Sequence, residues 1–357
     1  SLVATLSQIR GLLLEEVLLY LLEFSGFKTV LAADGDDTLH RGPAGIEVKG
    51  RGCLHQIDAI ADFVVATPFS NPHRLLIEAK CYSESSPIGV EYVRNALGVL
   101  ADVSEYWIPQ PGNNGKRYHY QYAIFSASGF TSTAEKYAFA HDIYLFPLNK
   151  SVFFQPILQN IRSLEPRTFN SDNAKSIDIS LSNFRASFRE LLRENMALFQ
   201  NDVNRELLKT LADTCRRLKG VMLGMISRQV PIIMTPSPEF NLYRMKSLYE
   251  VEMHGFYNNQ RGWVLSDRDV EILSFDIPTQ IFQLYAQHGA LKTTTALNMK
   301  AEFFTEIQSV VIQNRVPKIV TFRLNREWLD HLIDQANEIN RQREQNQENQ
   351  LAQEPGE

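Results

Sequence analysis

Two short runs of alternating polar and apolar residues, Gln56–Ile60 and Leu76–Lys80, constrain the fold of this chain more than any other feature. The segment between them contains Pro, Ser and Asn, residues that favour turns. Alternation with a period of two predicts β-strands, and a turn-rich connection favours antiparallel pairing of neighbouring strands. Because side chains two residues apart share a face of a strand, each strand should present a pair of polar side chains on one side of the sheet.

Pairing of the two strands would place Asp58 of the first run close to Glu78 and Lys80 of the second. A carboxylate on a strand suited to a core needs a cation or a metal ion, because unpaired buried charge is costly. Two carboxylates make a hard oxygen site for Mg²⁺ or Mn²⁺, and a neighbouring lysine can orient or help deprotonate water. The pattern therefore points to metal-assisted hydrolysis of a phosphodiester. The alternative is a structural Glu78–Lys80 ion pair on a half-exposed strand.

The first predicted helix, Leu6–Ser25, ends before Gly26 and carries three glutamates. A helical wheel places Glu16 and Glu23 on one polar strip, where we expect them to be solvated, and Glu15 among leucines. Two explanations fit Glu15. It forms a salt bridge at the edge of the apolar face, or it is a third acidic group that supports the metal site.

The composition restricts the class of protein. With 357 residues, 44% of them hydrophobic and 22% charged, the chain is long enough for two globular domains. It has no uninterrupted apolar run of membrane-spanning length, so we expect no membrane partner and a cytoplasmic location. The net charge of −5 argues against a general nucleic-acid coat, whereas an acidic metal site with a local basic groove is compatible with a nuclease.

Three cysteines, Cys53, Cys81 and Cys215, lack CxxC spacing and predict neither a zinc site nor a disulfide framework. We expect Cys53 and Cys81 to be packing residues in a protein of a reducing compartment. The Gly50-Arg51-Gly52 turn permits two interpretations. It brings backbone amides and Arg51 near a phosphate, or it makes a tight hairpin.

The order of the predicted elements favours an α/β fold. Several strands follow the first helix, and then come a helix over Ile88–Tyr106, a strand over Tyr118–Ser126, a helix over Thr133–His141 and a strand over Ile143–Phe146. The last two strands are close enough to pair in parallel through a helical crossover. This order predicts a sheet with helices on both faces.

A change of composition after residue 164 predicts a second domain. The predicted parts are a first domain over 1–164, a linker rich in Pro, Asn, Ser and Asp over 165–182, a second, smaller α+β domain over 183–340 and a polar tail over 341–357. The second domain should begin with a long helix, Asn183–Ile226, broken near Asn201, and contain a helix over Met299–Gln313. Target recognition, partner binding and oligomerisation all remain open as its role.

Five short motifs follow one another between about Gly11 and Leu148 in an order found in a known enzyme family. They are Glu15 ahead of Gly26-Phe27, Asp58, Glu78-Ala79-Lys80, Ile88-Gly89 followed by Val93-Arg94, and Ser128-Gly129-Phe130-Thr131 followed by Ala134 and Ala138. On these residues, the segment resembles the catalytic domain of Mrr-like type IV restriction endonucleases, in the PD-(D/E)xK nuclease superfamily. The resemblance implies a restriction-endonuclease-like mixed sheet flanked by helices.

The resemblance also implies an activity: Mg²⁺-dependent (or Mn²⁺-dependent) DNA endonuclease in restriction or anti-phage defence. Asp58 and Glu78 match the family's metal ligands, Lys80 its catalytic lysine and Glu15 its first-helix acid, and Gln56 is an additional polar contact to water or phosphate. Besides DNA, the expected partners are a second copy of the chain or another defence protein. The alternative function is a catalytically idle module that keeps the nuclease fold for binding nucleic acid or a partner.

One departure from the family pattern concerns the first metal ligand. The family often has a Gly-rich approach to its Asp, and in this chain Gly45-Ile46-Glu47 has that character. Glu47 is therefore an alternative to Asp58, although the alternation around Asp58 fits a strand better.

Overall fold

The structure is a computed structural model that divides into two compact units. The first unit comprises Ser1–Met222 and Val310–Lys318, and the second comprises Leu223–Ser309 and Ile319–Glu357. The residues that the structure describes are 3–106, 116–193, 205–227, 230–238, 240–241, 244–255, 262–278, 281 and 293–351.

The first unit alternates strands and helices, as predicted for an α/β fold. Its strands are β1 (Val3–Ala4), β2 (Phe27–Thr29), β3 (Leu39–Arg41), β4 (Ile46–Lys49), β5 (Leu54–Gln56), β6 (Ala59–Phe63), β7 (His73–Lys80), β8 (His119–Ser126), β9 (Tyr144–Pro147) and β10 (Ile177–Asp178). Its helices are α1 (Leu6–Phe24), α2 (Val90–Ser104), α3 (Ser132–Ala140), α4 (Gln155–Arg162), α5 (Leu181–Leu192) and α6 (Arg205–Cys215).

Two sheets carry most of these strands. In the described part of the unit, β2, β6, β7, β8 and β9 form one mixed sheet in that order, and β3, β4 and β5 form a second. The pairs β2–β6 and β6–β7 are antiparallel, whereas β7–β8 and β8–β9 are parallel. The antiparallel pairing of the two alternating runs and the parallel crossover through α3 are thereby confirmed.

Helix α1 is buried on almost every side because apolar residues, most of them leucines, surround its axis. A helix that is hydrophobic around most of its circumference is stable only inside a domain. Helix α1 accordingly packs against β6, β7 and α5. Helix α2 has a single apolar stripe, with Val93, Ala96 and Val103 fully buried in a core that includes Leu76 and Tyr122 of the mixed sheet.

A buried arginine fixes the beginning of β7. The guanidinium of Arg74, only 1% exposed, donates to Oδ1 of Asp62 at 2.6 Å, to Oδ2 of Asp36 at 2.7 Å and to Oγ1 of Thr38 at 2.9 Å. It also lies 3.7 Å from the centre of the Tyr118 ring. Each of the three guanidinium nitrogens therefore donates to an acceptor, which offsets the cost of burying the cation.

The predicted boundary between domains differs from the structure. Residues 165–182, predicted as a linker, contain a 3₁₀ turn at Pro166–Phe169 and strand β10, which pairs with β1. Phe169 and Ile177 are buried, and helices α5 and α6 also belong to the first unit. The polar composition of this segment reflects its turns, and its few apolar residues attach it to the first unit.

The predicted helix Asn183–Ile226 is wrong in its second half. Helix α6 passes into a 3₁₀ turn, Arg216–Gly220, and Met222–Ile226 is strand β11. The break predicted near Asn201 lies outside the described residues. The predicted helix Met299–Gln313 is also wrong beyond Phe303, because Glu306–Gln313 is strand β16.

The second unit is built on a barrel rather than on an open sheet. In the described residues, seven strands close in the order β11-β12-β15-β14-β13-β17-β16. Besides β11 and β16, they are β12 (Val230–Pro236), β13 (Leu248–Gly255), β14 (Gly262–Asp267), β15 (Val270–Asp276) and β17 (Val316–Leu324). Two helices, α7 (Thr293–Phe303) and α8 (Arg326–Leu351), pack against each other, so the predicted tail from residue 341 is a helix as far as Leu351.

Among the described residues, no helix combines the length and the apolar character needed to cross a membrane.

Candidate active site

The ends of β6 and β7 bring Asp58 next to the Glu78-Ala79-Lys80 run. The register pairs Ile60 with Leu76 and Ala59 with Ile77, so continuing it by one residue places Asp58 beside Glu78 on the same face. Oδ2 of Asp58 accepts a hydrogen bond from the backbone N–H of Ala79 at 2.9 Å. Burial raises the pKa of Asp58, although the Ala79 amide and Lys80 both favour its charged form.

Glu78 has two partners on the sheet. Its Oε1 lies 2.7 Å from Nζ of Lys80, and its Oε2 accepts a hydrogen bond from the Tyr122 hydroxyl at 3.1 Å. The Glu78 and Lys80 side chains are 13% and 21% exposed, so water still reaches both. Burial alone would lower the pKa of Lys80, but Glu78 and then Asp58 raise it above its ordinary value. Lys80 therefore remains an ammonium ion at neutral pH.

Glu15 of α1 lies close enough to Asp58 to interact with it electrostatically. Its Oε2 lies 2.6 Å from Nη2 of Arg185 on α5. Burial raises the pKa of Glu15 to about 7; Arg185 opposes this shift, and the nearby Asp58 and Glu16 add to it. Glu15 therefore exchanges a proton close to neutral pH, which an ordinary glutamate does not do.

The prediction that Glu16 is solvated is wrong, whereas the side chain of Glu23 is 27% exposed. Glu16 is 1% exposed, and its carboxylate receives hydrogen bonds from Arg185 at 3.0 Å and from Arg189 at 2.7 and 2.8 Å. Glu23 pairs with Arg193. The helical wheel failed here because α5 covers this strip of α1.

Arg185 and Tyr122 are the two site residues that sequence reasoning missed. Arg185 was assigned to the second domain, 170 residues from Glu15. A signal was nevertheless present, because Arg185, Arg189 and Arg193 repeat every fourth residue and so form a basic stripe on one face of a helix. Tyr122 gave no comparable signal, since a tyrosine in a strand fits ordinary packing.

The structure separates Gln56 and Glu47 from this cluster. The chain leaves the three-stranded sheet after Gln56 and enters the mixed sheet at Ala59, so Gln56 and Asp58 do not belong to one strand. Gln56 is exposed and stands opposite Glu47 in the register of β4 and β5. Glu47 instead lies 3.0 Å from Nδ1 of His40. Neither residue therefore lies on the mixed sheet with Glu78 and Lys80.

The carboxylates do not form a compact triad. Across the described residues, one set of three His, Cys, Asp or Glu ligand atoms lies within 4.8 Å of one another, and it consists of Cys53, His55 and Asp102. At the mixed sheet, Asp58 and Glu78 are the two residues that could hold a divalent ion. Asp58 directly precedes β6, and Glu78 lies on the neighbouring strand β7. The prediction that Cys53 packs in the interior is wrong, because its side chain is exposed.

Comparison with known proteins gives no family assignment. No family model matches the chain, and no curated protein matches it. One solved structure is similar: the crystal structure of a protein of unknown function, AF1548, at 19% identity and a TM-score of 0.33. The match covers 58% of this chain and 98% of that chain. At this TM-score the similarity supports no conclusion about fold or function.

Proposed function

We propose that the chain is a Mg²⁺-dependent DNA endonuclease whose first unit has a restriction-endonuclease-like fold. The observation that carries the proposal is the hydrogen bond between Asp58 and the Ala79 amide, because it joins one carboxylate to the strand that bears Glu78 and Lys80. Two carboxylates and an ammonium ion are thereby held at the ends of adjacent strands. DNA as substrate, and a role in restriction or anti-phage defence, follow from the resemblance of the motifs to Mrr-like enzymes.

The donor set fits a hard divalent cation. Asp58 and Glu78 provide carboxylate oxygens, the ligands that Mg²⁺ and Mn²⁺ prefer. Burial raises the pKa of Asp58, so additional positive charge at this position would stabilise its ionised form. When bound, such an ion supplies positive charge to the phosphate and activates water for attack.

Lys80 and Glu15 have different roles in this proposal. Lys80 stays protonated, so it donates hydrogen bonds and stabilises negative charge on the phosphate instead of acting as a base. Glu15, with a pKa of about 7, accepts the proton of the attacking water. Arg185 positions Glu15 through their ion pair and holds its carboxylate in place.

The test is cleavage of supercoiled plasmid DNA by the purified full chain with Mg²⁺ and with EDTA. We expect nicking or linearisation with Mg²⁺ only. Replacing Lys80 with alanine should slow cleavage roughly 100-fold or more, because it removes a charged group from the transition state. Lys28→Ala is the matched control, since Lys28 is an exposed lysine on strand β2 of the same sheet. It should cleave at the wild-type rate.

Cleavage that persists in the Lys80→Ala variant would remove the assigned role of that residue. Retarded migration of DNA without any cleavage in Mg²⁺ or Mn²⁺ would instead favour the idle binding module. Both carboxylate oxygens of Glu78 already have partners, Lys80 and Tyr122, and this arrangement is compatible with a module that binds no metal ion.

A further inference from the structure

A second group of ligand atoms lies between the β4–β5 hairpin and helix α2. Sγ of Cys53 and Nε2 of His55 come from the hairpin, and Oδ2 of Asp102 comes from the last turn of the helix. The three atoms lie within 4.8 Å of one another. The sequence predicts no zinc site because it lacks CxxC spacing. In the structure, Cys53 and His55 are two residues apart, and the third member of the group is 47 positions from His55.

The distances between the three atoms are compatible with the binding of one metal ion by all of them. Nε2 of His55 lies 2.7 Å from Oδ2 of Asp102 and 3.5 Å from Sγ of Cys53, and Sγ lies 3.9 Å from Oδ2. Tetrahedral zinc with its usual bond lengths separates pairs of such donors by about 3.3–3.6 Å. All three would surround one ion if Nε2 of His55 and Oδ2 of Asp102 moved apart by about 0.6 Å and Sγ of Cys53 moved about 0.3 Å closer to Oδ2.

The geometry excludes a cysteine–histidine–aspartate relay. In a relay, the acid and the nucleophile bind different nitrogens of the imidazole, so that a proton passes across the ring. Here both Asp102 and Cys53 approach Nε2, and the distance from Sγ to Nδ1 is 4.0 Å. The three ligand atoms share one small region, and an ion bound there would take the place of the hydrogen bond between His55 and Asp102.

The backbone positions Asp102 for this role. The amides of Gly52 and Cys53 donate to Oδ1 at 2.7 Å and to Oδ2 at 3.3 Å, respectively. Outer hydrogen bonds of this kind orient the carboxylate ligands of metal sites.

Glycine at position 50 is required by the close approach of the hairpin to α2. A Cβ atom at Gly50 would collide with Oδ2 of Asp102 and lie 2.9 Å from Nε2 of His55. The Gly50-Arg51-Gly52 turn therefore serves this group. Its Gly52 amide donates to the Asp102 carboxylate and its Arg51 amide to the Asp102 backbone carbonyl, so neither is directed at a phosphate, and the Arg51 side chain pairs with Glu105.

We propose that Cys53, His55 and Asp102 bind a transition-metal ion of the Zn²⁺ class. A thiolate, an imidazole and a carboxylate form a donor set of intermediate softness, which Zn²⁺ and Co²⁺ accept and Mg²⁺ does not. The exposed Cys53 leaves the fourth position open to water. The ion joins the β4–β5 hairpin to α2. The hairpin comes directly before Asp58 and strand β6 in the sequence.

Co²⁺ titration of the metal-free full chain tests this proposal. One equivalent should produce the near-ultraviolet absorption of a cobalt–thiolate bond, together with visible bands of a four-coordinate ion, and Zn²⁺ should abolish both. Cys53→Ser should lose the thiolate absorption. Because Cys53 is exposed, this variant should keep its fold, which circular dichroism checks.

Two control variants separate this site from other ligands. Cys81→Ser alters a half-buried cysteine and should keep the absorption, and Asp58→Asn should keep it even if the proposed nuclease site is real. In the wild-type chain, Zn²⁺ should also protect Cys53, but not Cys81, from alkylation, as read by mass spectrometry. Absence of thiolate absorption, its survival in Cys53→Ser, or equal alkylation of Cys53 with and without Zn²⁺ would overturn the proposal.

Discussion

At the scale of single residues, burial of Glu15 lowers the stability of the protein when the carboxylate is charged, and it also brings the pKa of this residue close to neutral pH. The carboxylate lies beside the apolar residues of α1 and next to Asp58, and its pKa is raised from 4.5 to about 7. Folding therefore favours its protonated form, and stability is lost as the pH rises from about 4.5 to about 7. The same displaced pKa allows Glu15 to take up a proton at neutral pH.

Replacing Glu15 with glutamine should stabilise the protein at pH 8 while it slows DNA cleavage. The amide removes the cost of the buried charge, which amounts to at most about 3 kcal/mol from the shift of pKa. The gain should be largest at pH 8 and should decrease toward pH 5, where the wild-type carboxyl is mostly protonated in the folded state. Urea unfolding at both pH values measures this difference.

The matched control for Glu15→Gln is Glu23→Gln, near the C-terminal end of α1. Glu23 pairs with Arg193 near the surface, so its replacement should change stability by less than about 1 kcal/mol. A Glu15→Gln variant that is less stable than the wild type at pH 8 would contradict the assigned cost of burial.

At the scale of elements, the position of β7 depends on its first residues as well as on its hydrogen-bonded neighbours. Arg74 connects β7 to Asp62 of β6 and to Asp36, which precedes β3. The same strand carries Glu78 and Lys80 at its other end. Replacing Arg74 should therefore lower the stability of the protein and displace Glu78 and Lys80 at the other end of the strand.

Arg74→Met should lower the free energy of unfolding by about 3–5 kcal/mol, because it leaves two carboxylates without their buried partner. Arg51→Met is the control, since Arg51 and Glu105 form an exposed pair whose loss should cost less than about 1 kcal/mol. Thermal or chemical denaturation measures both variants. Equal losses in the two would show that the Arg74 network contributes no more than a surface pair.

Short sequence patterns predicted correctly those helices and strands whose own residues determine which face is buried. The alternation around Ile77 predicted β7, and the apolar repeat around Val93 predicted α2, because each pattern reports the face that its own element buries. The position of Arg185 beside Glu15 depends on packing between helices 170 residues apart, which no short window contains. The Val310-Val311-Ile312 run was misread as helix, although β-branched residues favour a strand.

The proximity of the candidate site residues was predictable to the same extent, whereas their roles stay a prediction. Asp58 lies beside the Glu78-Ala79-Lys80 run because it directly precedes a strand that pairs with the next strand in the sequence. Gln56 was misplaced, since the strand breaks between it and Asp58 and no alternation reveals such a break. The Cys53 group was missed, because one of its ligands comes from a different element.

At the scale of the whole molecule, the first unit extends well past the end of the predicted nuclease domain. Helices α5 and α6 belong to it, and α5 provides Phe188, Leu191 and Leu192 to its interior. A fragment that ends before α5 would expose the leucines of α1 that α5 covers. It would also lose both arginines that pair with Glu16.

A fragment of residues 1–222 should therefore unfold cooperatively on heating, whereas a fragment of residues 1–182 should not. The longer fragment retains both arginines that pair with Glu16, and the shorter fragment loses them together with the apolar face of α5. Differential scanning calorimetry distinguishes the two. Cooperative unfolding of the shorter fragment would support the boundary that composition predicted.

The barrel of the second unit joins strands that are synthesised far apart in time. Its closing pair joins Ile226 of β11 to Ile307 of β16, and β13 lies parallel to β17, with Leu248 next to Thr321. Such non-local pairing raises the contact order and slows folding. On the ribosome, the early strands must therefore wait until β17 has emerged, and their unpaired edges are exposed to aggregation and to chaperones during that interval.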